Sequence, residues 1–429
     1  MSSSTADAAE LPAAAIAESA AEPTSRRDLD RSLVLWLTNV SHALIHFQNQ
    51  MQALLYPIIM AELGFGPAQL GVLAAVQNVF SSAAQAGFGF LTPFFMRTRL
   101  LGAANLVVSL GTFLTGFVPS YSALLGTRAI MAAGSSAQHP VGASLLSGFF
   151  PRNRGTILAL NSSLANVGAL LAPISVSLLL LVVGWRQIFI IVAIATLVMG
   201  VAYFFFRDRA GARRANAASR KARLAEGRAS YARVLRNRNM MVISLIMMVG
   251  AAGRDGGVNQ TFLGPHLVDD LGLSVAIAAV ALSVLQVGSI VGPLGFGWLS
   301  DRLSRRWVMQ ASLLLSALAT WWFARQDAYL PVLLVNLLFY GMVSYSRGTL
   351  TQALIADSLT DTDRDAAFSV YYTLGLISGP IWSLVTGFLM QSSGFSTAFT
   401  VLGFSYLTGM LLLFLIEDPR AKKPAAAVA

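Results

Sequence analysis

Cysteine is absent from this 429-residue chain, which excludes disulfides, thiol nucleophiles and cysteine metal sites. Charge is scarce. Only 12% of the residues are charged, about half of the ~25% usual in soluble domains. Acids number 20 against 30 basic residues, and histidine occurs four times. There is no glycine-rich phosphate loop, nucleophile elbow or histidine–glutamate hydrolase cluster, so neither an enzyme nor a nucleotide-driven pump is expected. The amino end also lacks the basic start and apolar continuation of a secretory signal. Residues 1–30, rich in Ala, Ser and Glu, are expected to form a disordered tail.

What is present is overwhelmingly apolar. Hydrophobic residues make up 55% of the chain and the mean hydropathy is +0.64, outside the range of a soluble protein. Apolar segments lie at 33–61, 67–92, 100–118, 121–149, 155–183 and 185–206, then at 239–268, 274–299, 306–325, 329–357, 366–391 and 395–416. Each approaches or exceeds the ~20 residues that a helix needs to cross the hydrocarbon. The expected architecture is an all-α membrane protein with twelve transmembrane helices: a six-helix bundle over 31–206, a basic linker over 207–238, a second bundle over 239–416 and a tail over 417–429.

The net charge of +10 is read as topology rather than as a nucleic-acid surface, because the basic residues are scattered among loops. Nearly all of them fall in the two tails, the linker and alternate loops, whereas the opposite loops hold only Arg186 and Arg325. That asymmetry places both termini and the linker in the cytoplasm of a cell inner membrane. The linker's basic residues, set against Asp208 and Glu226, suit a connector lying on anionic lipid.

The chain is also double. A shift of 208 positions carries Pro57 onto Pro265, Glu62 onto Asp270, Leu63-Gly64 onto Leu271-Gly272 and Gly87-Phe-Gly89 onto Gly295-Phe-Gly297. A shift of 207 carries Gly134 onto Gly341, Gly168 onto Gly375 and Pro173 onto Pro380. A repeat of this length reads as two homologous halves rather than a solenoid. The second half contains Gly295-Phe-Gly297-Trp-Leu-Ser-Asp301-Arg302-Leu-Ser-Arg305-Arg306 between two apolar runs. This stretch resembles the loop signature of the major facilitator superfamily, with Ser304 at the second glycine position. The resemblance implies two pseudo-symmetric six-helix bundles that hold substrate near the midplane. It also implies a gating latch of Asp301, Arg302, Arg305 and Arg306 with Asp357, which closes the tenth helix. The first half carries Pro93, Phe94 and Phe150 at the positions of Asp301, Arg302 and Asp357, so a hydrophobic contact is expected there instead.

Ionisable groups inside spanning segments normally face a cavity or a partner, since burying one costs at least ~2.5 kcal/mol. Arg128, Arg254 and Arg347 are therefore the first substrate-binding candidates. Arg128, Ser135, His139 and Gly142 form a stripe at helical spacing, and Asn336, Tyr340, Ser344, Arg347 and Thr351 form a related one. The first segment places Asn39, His42, His46, Asn49 and Gln50 on one side. His42 and His46, joined by His139, are candidates for proton or substrate contacts. Histidines four apart can also hold zinc, but no accompanying glutamate completes the hydrolase motif, and neither a metal nor another cofactor is expected. In the seventh segment Asp255, Asn259 and His266 share a face, and Asp255 is the leading proton-coupling carboxylate, with a structural ion pair as the alternative. Asn259 and Gln286 complete the polar candidates.

The motif around Arg128 resembles the superfamily's fourth-helix arginine, which implies a link to proton coupling. Ser41-His42, Tyr56-Pro57 with Glu62, Gln69-Leu-Gly71 and Gly134-Ser-Ser-Ala-Gln-His139-Pro140 resemble the fosmidomycin-resistance branch of drug exporters, over roughly residues 40–175. The resulting expectation is a monomeric secondary transporter working by alternating access, with proton-coupled efflux of a small anionic or zwitterionic compound or drug. Two alternatives are a proton-coupled importer of an organic anion and a non-transporting membrane receptor or scaffold. The expected partners are the substrate, protons and the bilayer.

Overall fold

The computed structural model describes residues 24–91, 95–150, 154–206, 229–249, 257–359 and 363–417. Every element described is helical, as a lipid-embedded backbone requires when no water is available to its N–H and C=O groups. The first half contains α1 (Thr24–Leu63), α2 (Pro67–Leu91), α3 (Arg97–Thr115), α4 (Tyr121–Ser135), α5 (Ala143–Phe149), α6 (Arg154–Leu179) and α7 (Trp185–Ala202). The second contains α8 (Arg238–Val249), α9 (Gly257–Pro265), α10 (Val275–Arg302), α11 (Arg305–Phe323), α12 (Leu330–Ser358) and α13 (Arg364–Leu412). Among the described residues, six helical stretches are long and apolar enough to cross a membrane: Arg97–Thr115, Leu160–Leu179, Trp185–Phe205, Val275–Arg302, Leu330–Ile355 and Ser378–Leu415.

Local sequence explains the departures from simple rods. Pro140 has no N–H to donate and its ring crowds the preceding turn, and around it the helix widens into a π turn, Gln138–Gly142, between α4 and α5. A second π turn, His266–Asp270, follows Pro265 at the end of α9. α13 merges two expected segments across Gly394, whose φ of 80° is open to glycine but strained for other residues. The expected linker is helical over 229–236. Arg233 grips the carboxylate of Asp363 with its Nε at 3.1 Å and its Nη2 at 2.8 Å, while Ser230 donates to the same group at 2.7 Å.

The repeat is visible in backbone conformation. Gly64 and Gly272, related by the 208-residue shift, both take φ of 66°, the first just after α1 and the second just after the π turn that follows α9. Within each half, small residues let helices touch backbone to backbone. A Cβ on Gly168 would lie 2.1 Å from the Ala43 carbonyl oxygen, bringing α6 onto α1, and one on Gly292 would lie 2.0 Å from that of Met342, bringing α10 onto α12. Burial is inverted relative to a soluble protein. Leu178, Ile194 and Phe388 are exposed on the outside, while Gln48, Thr112 and Thr196 are buried and satisfy one another: Gln48 donates to Thr196 at 2.8 Å and accepts from Thr112 at 2.6 Å.

The halves meet closely away from the end that carries the chain termini. A Cβ on Gly71 of α2 would sit 2.6 Å from the Ser383 carbonyl oxygen of α13, and one on Gly387 would sit 2.6 Å from that of Pro67. The Ala68 N–H donates to Gln391 Oε1 at 3.0 Å in the same region. A Cβ on Gly264 of α9 would collide with the Ala53 carbonyl oxygen of α1 at 1.5 Å. At the terminal end the equivalent glycines Gly87 and Gly295 have no such neighbour within 4 Å. The far end is thus sealed by backbone contact between the halves.

Candidate functional site

A cavity of about 190 Å³ lies inside this seal. Asn49, Gln52 and Tyr56 of α1, Gln77 and Asn78 of α2 and Ser135 of α4 line it from the first half, and Thr261 of α9 contributes from the second. Among the described residues that line it, none carries a charge at neutral pH. The polar side chains are held in a relay: Gln77 donates to the Tyr56 hydroxyl at 3.1 Å, Tyr56 donates to Gln52 Oε1 at 2.5 Å, and Gln52 donates to the Gln48 carbonyl at 3.1 Å.

Arg128 lies one side chain behind this wall. It is 1% exposed, and its Nη2 makes a long 3.5 Å contact to Gln77 Oε1 and a 3.4 Å contact to Met131 Sδ. Its guanidinium carbon stands 5.6 Å from the centre of the Phe189 ring, a favourable cation–π placement. Its Nε and Nη1 are buried without a hydrogen-bond partner. A buried cation with two unmet donors raises the local potential and favours a negatively charged occupant nearby.

Toward the terminal end, His42 and His46 project from successive turns of α1, and the π turn delivers His139 to them. The three rings stand edge to face, with centroids 4.8 Å (His42–His46), 5.2 Å (His42–His139) and 6.0 Å (His46–His139) apart. His42 Nδ1 lies 2.8 Å from Asn161 Oδ1, and Asn161 Nδ2 donates to Asn39 Oδ1 at 2.8 Å. His139 is exposed, His46 half-buried and His42 buried. Ser41 accepts a short hydrogen bond from Gln138 and donates to Asn105 Oδ1 at 3.3 Å, so the π turn is also stapled to α1 and α3.

The structure distributes the other sequence candidates differently. Of the residues expected to touch substrate, Asn49 lines the cavity directly and Arg128 stands behind it. Tyr340 is fully buried inside the second half, where its ring stacks with Phe323 at 6.3 Å, and Asn336 donates to the Ala319 carbonyl at 3.3 Å. That part of the α12 stripe packs on α11 and not on the cavity. Arg347 is 5% exposed on the same helix, and Gln286 of α10 is buried and accepts from Ser289 at 3.1 Å. His266 is a packing residue: its ring stacks on Phe395 and meets Asp270 at 3.0 Å. Arg254, Asp255 and the side chain of Asn259 lie outside the described residues. Of this relay the sequence reading names only Tyr56, through the Tyr56-Pro57 motif; it misses Gln52 and Gln77, although both stand about a helical turn from polar neighbours on the same helices.

At the terminal end of the second half, Arg305 forms a short ion pair with Asp357 and a 3.1 Å pair with Asp301, and its Nη1 donates to Ser300 at 3.0 Å. Arg302 stacks over Trp298 at 3.9 Å, and Arg306 donates to the Ile416 carbonyl at 3.3 Å. The acid–arginine–acid arrangement thus exists within the second half, with Arg305 at its centre. In the first half Phe150 is half-buried at the end of α5, and Pro93 and Phe94 lie outside the described residues. At the opposite end Glu62 accepts from Arg186 at 2.7 Å and from the Trp185 indole at 2.5 Å.

Two homologous helical halves around a polar cavity, sealed at one end, define a membrane transporter. The chain belongs to the Major Facilitator Superfamily, whose sequence profile matches residues 38–258 and 252–429. Among similar curated proteins, a putative metabolite transport protein of Haemophilus influenzae is 25% identical over 85% of this chain and 90% of its own. A probable 4-methylmuconolactone transporter of Cupriavidus pinatubonensis is 27% identical over 67% of this chain and 66% of its own. The fold is shared with a solved nucleoside transporter (TM-score 0.77, 14% identity, 90% of this chain and 100% of that one). It is also shared with a D-xylose–proton symporter (TM-score 0.75, 14% identity, 91% and 99%). The protein is a membrane-embedded transporter of small molecules and not an enzyme.

Proposed function

We propose that the protein moves a small anionic or zwitterionic organic compound by alternating access between its two six-helix halves, in exchange for protons, in the direction of efflux. The observation that carries the substrate class is Arg128: a buried guanidinium with two unmet N–H groups, one side chain behind a cavity wall of neutral hydrogen-bonding groups. A carboxylate or phosphonate would be drawn to that potential, and Asn49, Gln52, Gln77 and Ser135 would orient it. The cavity's 190 Å³ is below the ~300–1,000 Å³ of drug-sized sites and suits a small metabolite-like molecule. Arg254 and Arg347 belong to the same electropositive set in this reading, with Asp255, His42 and His46 as the proton-carrying groups. The twelve crossings, the cytoplasmic termini and linker, the monomeric state and the kinship with the fosmidomycin-resistance branch complete the proposal. The basic loops support the orientation, and the motifs between residues 40 and 175 support the branch.

Import of an organic anion is the second reading. Relatives named as probable transporters of 4-methylmuconolactone and, over a shorter match, sulfoacetate support the organic-acid class of cargo that this reading shares with the first. A panel of carboxylates, phosphonates, sugars and lipophilic cations, tested in inverted vesicles containing a pH-sensitive dye, separates these readings. Efflux coupled to protons gives anion-dependent alkaline shifts inside acidified vesicles. Preference for a permanent cation would overturn the substrate class.

A further inference from the structure

We propose that His42, His46 and His139 form a three-imidazole site for one divalent metal ion of the zinc class, with the fourth coordination position open toward the cavity. One ring nitrogen from each histidine lies within 4.8 Å of the others. Three nitrogens around a tetrahedral zinc, each ~2.0–2.1 Å from it, stand about 3.3 Å apart, so small side-chain rotations close the set. The rings are already nearly perpendicular to one another, at 80°, 85° and 81°, rather than stacked.

The surroundings of His42 give an independent reason. Asn161 Oδ1 can only accept, so the 2.8 Å contact puts the proton on His42 Nδ1, and the lone pair falls on Nε2. In the same orientation the Asn161 Nδ2 donates to Asn39 Oδ1 at 2.8 Å. This is the outer-shell pattern that fixes the tautomer of metal-binding histidines. The freed Nε2 is buried without a hydrogen-bond partner in a residue only 5% exposed. An unprotonated acceptor beside two further imidazoles has the chemistry of a metal ligand. The local sequence builds the set: positions 42 and 46 stack on one face of α1, and the π turn around Pro140 supplies the third ring. Asn49, three residues beyond His46, lines the cavity, and His139 is exposed, which leaves an approach to the fourth position.

The missing glutamate that argued against a metal in the sequence excludes only the hydrolase motif. A three-histidine set needs no such residue to hold zinc. Three neutral imidazoles also accommodate one dication without the mutual repulsion that three protonated rings would suffer at these distances; the metal and the proton compete for the same lone pairs, so the proton-carrying role proposed for His42 and His46 belongs to the metal-free form.

The test uses the full-length protein purified in detergent without a polyhistidine tag. Titration with Zn²⁺ by calorimetry and with Co²⁺ by visible absorption should give one ion per chain and the intense d–d bands of four-coordinate cobalt. His46→Gln and His139→Gln should each weaken binding by more than about 100-fold, and Asn161→Ala by about 10–100-fold through the outer shell. His266→Gln, which alters the one remaining histidine, should bind as the parent does. His139→Cys supplies a ligating thiolate in a chain with no other cysteine, so it should retain zinc and add a cobalt–thiolate charge-transfer band. This rescue separates lost ligation from lost folding. Absence of stoichiometric binding, undiminished binding in folded His139→Gln, or failure of His139→Cys to retain zinc while it remains folded and monodisperse would each overturn the proposal.

Discussion

Replacing Gly71 or Gly387 with alanine should shift the transporter between its two access states without unfolding it. A Cβ at either position would meet a carbonyl oxygen of the facing helix at 2.6 Å, where ordinary contact begins near 3.4 Å, so α2 and α13 must part by roughly 0.8 Å. Overpacking of this kind costs about 1–3 kcal/mol. The clash belongs to the contact between halves, and that contact exists only while the far end is sealed. The cost therefore falls on one state, and a differential of 1–3 kcal/mol moves the equilibrium about 5–150-fold toward the state open at that end. The cysteine-free background permits a clean assay. Spin labels at Pro119→Cys and Tyr329→Cys, exposed in the far-end loops of opposite halves, should show a longer distance distribution in Gly71→Ala than in the parent. Gly168→Ala is the control, since its clash at 2.1 Å lies within one half and should lower thermal stability in every state. Unchanged distances in a stable Gly71→Ala protein, or a stability loss matching that of Gly168→Ala, would refute the reasoning.

Arg128→Lys should abolish transport although the charge is kept, because a lysine cannot span Gln77, Met131 and the Phe189 ring as a planar guanidinium does; uptake or efflux of the best anion in proteoliposomes checks it. In the latch, Asp357→Asn should lower thermal stability more than Asp301→Asn. Asp357 and Arg305 are only 25% and 13% exposed, whereas Asp301 is 67% exposed and its i,i+4 pair is worth no more than ~0.5 kcal/mol. At the far end, the Trp185 indole and then the Arg186 guanidinium hold the Glu62 carboxyl below its ordinary value of 4.5. A depressed acid keeps its contribution at neutral pH and loses it as pH falls through the lowered value. The Trp185 fluorescence change that is absent in Glu62→Gln should therefore have its midpoint below 4.5, and a midpoint at or above that would contradict the pairing.

Most of the scaffold could be read from residues because membrane burial leaves few choices. Long apolar runs must be helical, basic residues mark alternate loops, and paired glycines such as Gly64 and Gly272 betray the repeat before their shared φ of 66° is seen. The resemblance to the superfamily's loop signature, rather than burial alone, brought Asp301, Arg305 and Asp357 together, and the three do form ion pairs. The α12 stripe misled because helical spacing fixes which residues share a face but not which neighbour that face meets. Tyr340 and Asn336 share a face with Arg347, yet the first two are buried against Phe323 and Ala319 of α11.

The histidine cluster shows where periodicity stops being sufficient. His42 and His46 are neighbours by the i,i+4 rule alone, so their proximity followed from the sequence. His139 was placed by helical spacing on a stripe with Arg128 and Ser135, which assumes an unbroken α-helix. The π turn at Gln138–Gly142 rotates everything beyond it relative to that stripe, and Pro140 is the residue that makes an unbroken helix costly there. A proline beside a polar side chain in a spanning helix therefore deserves to be read as a point where the facing direction is reset. His139 lies inside this turn, immediately before Pro140, and stands 5.2 Å from His42 and 6.0 Å from His46, so that the three rings can close around one ion.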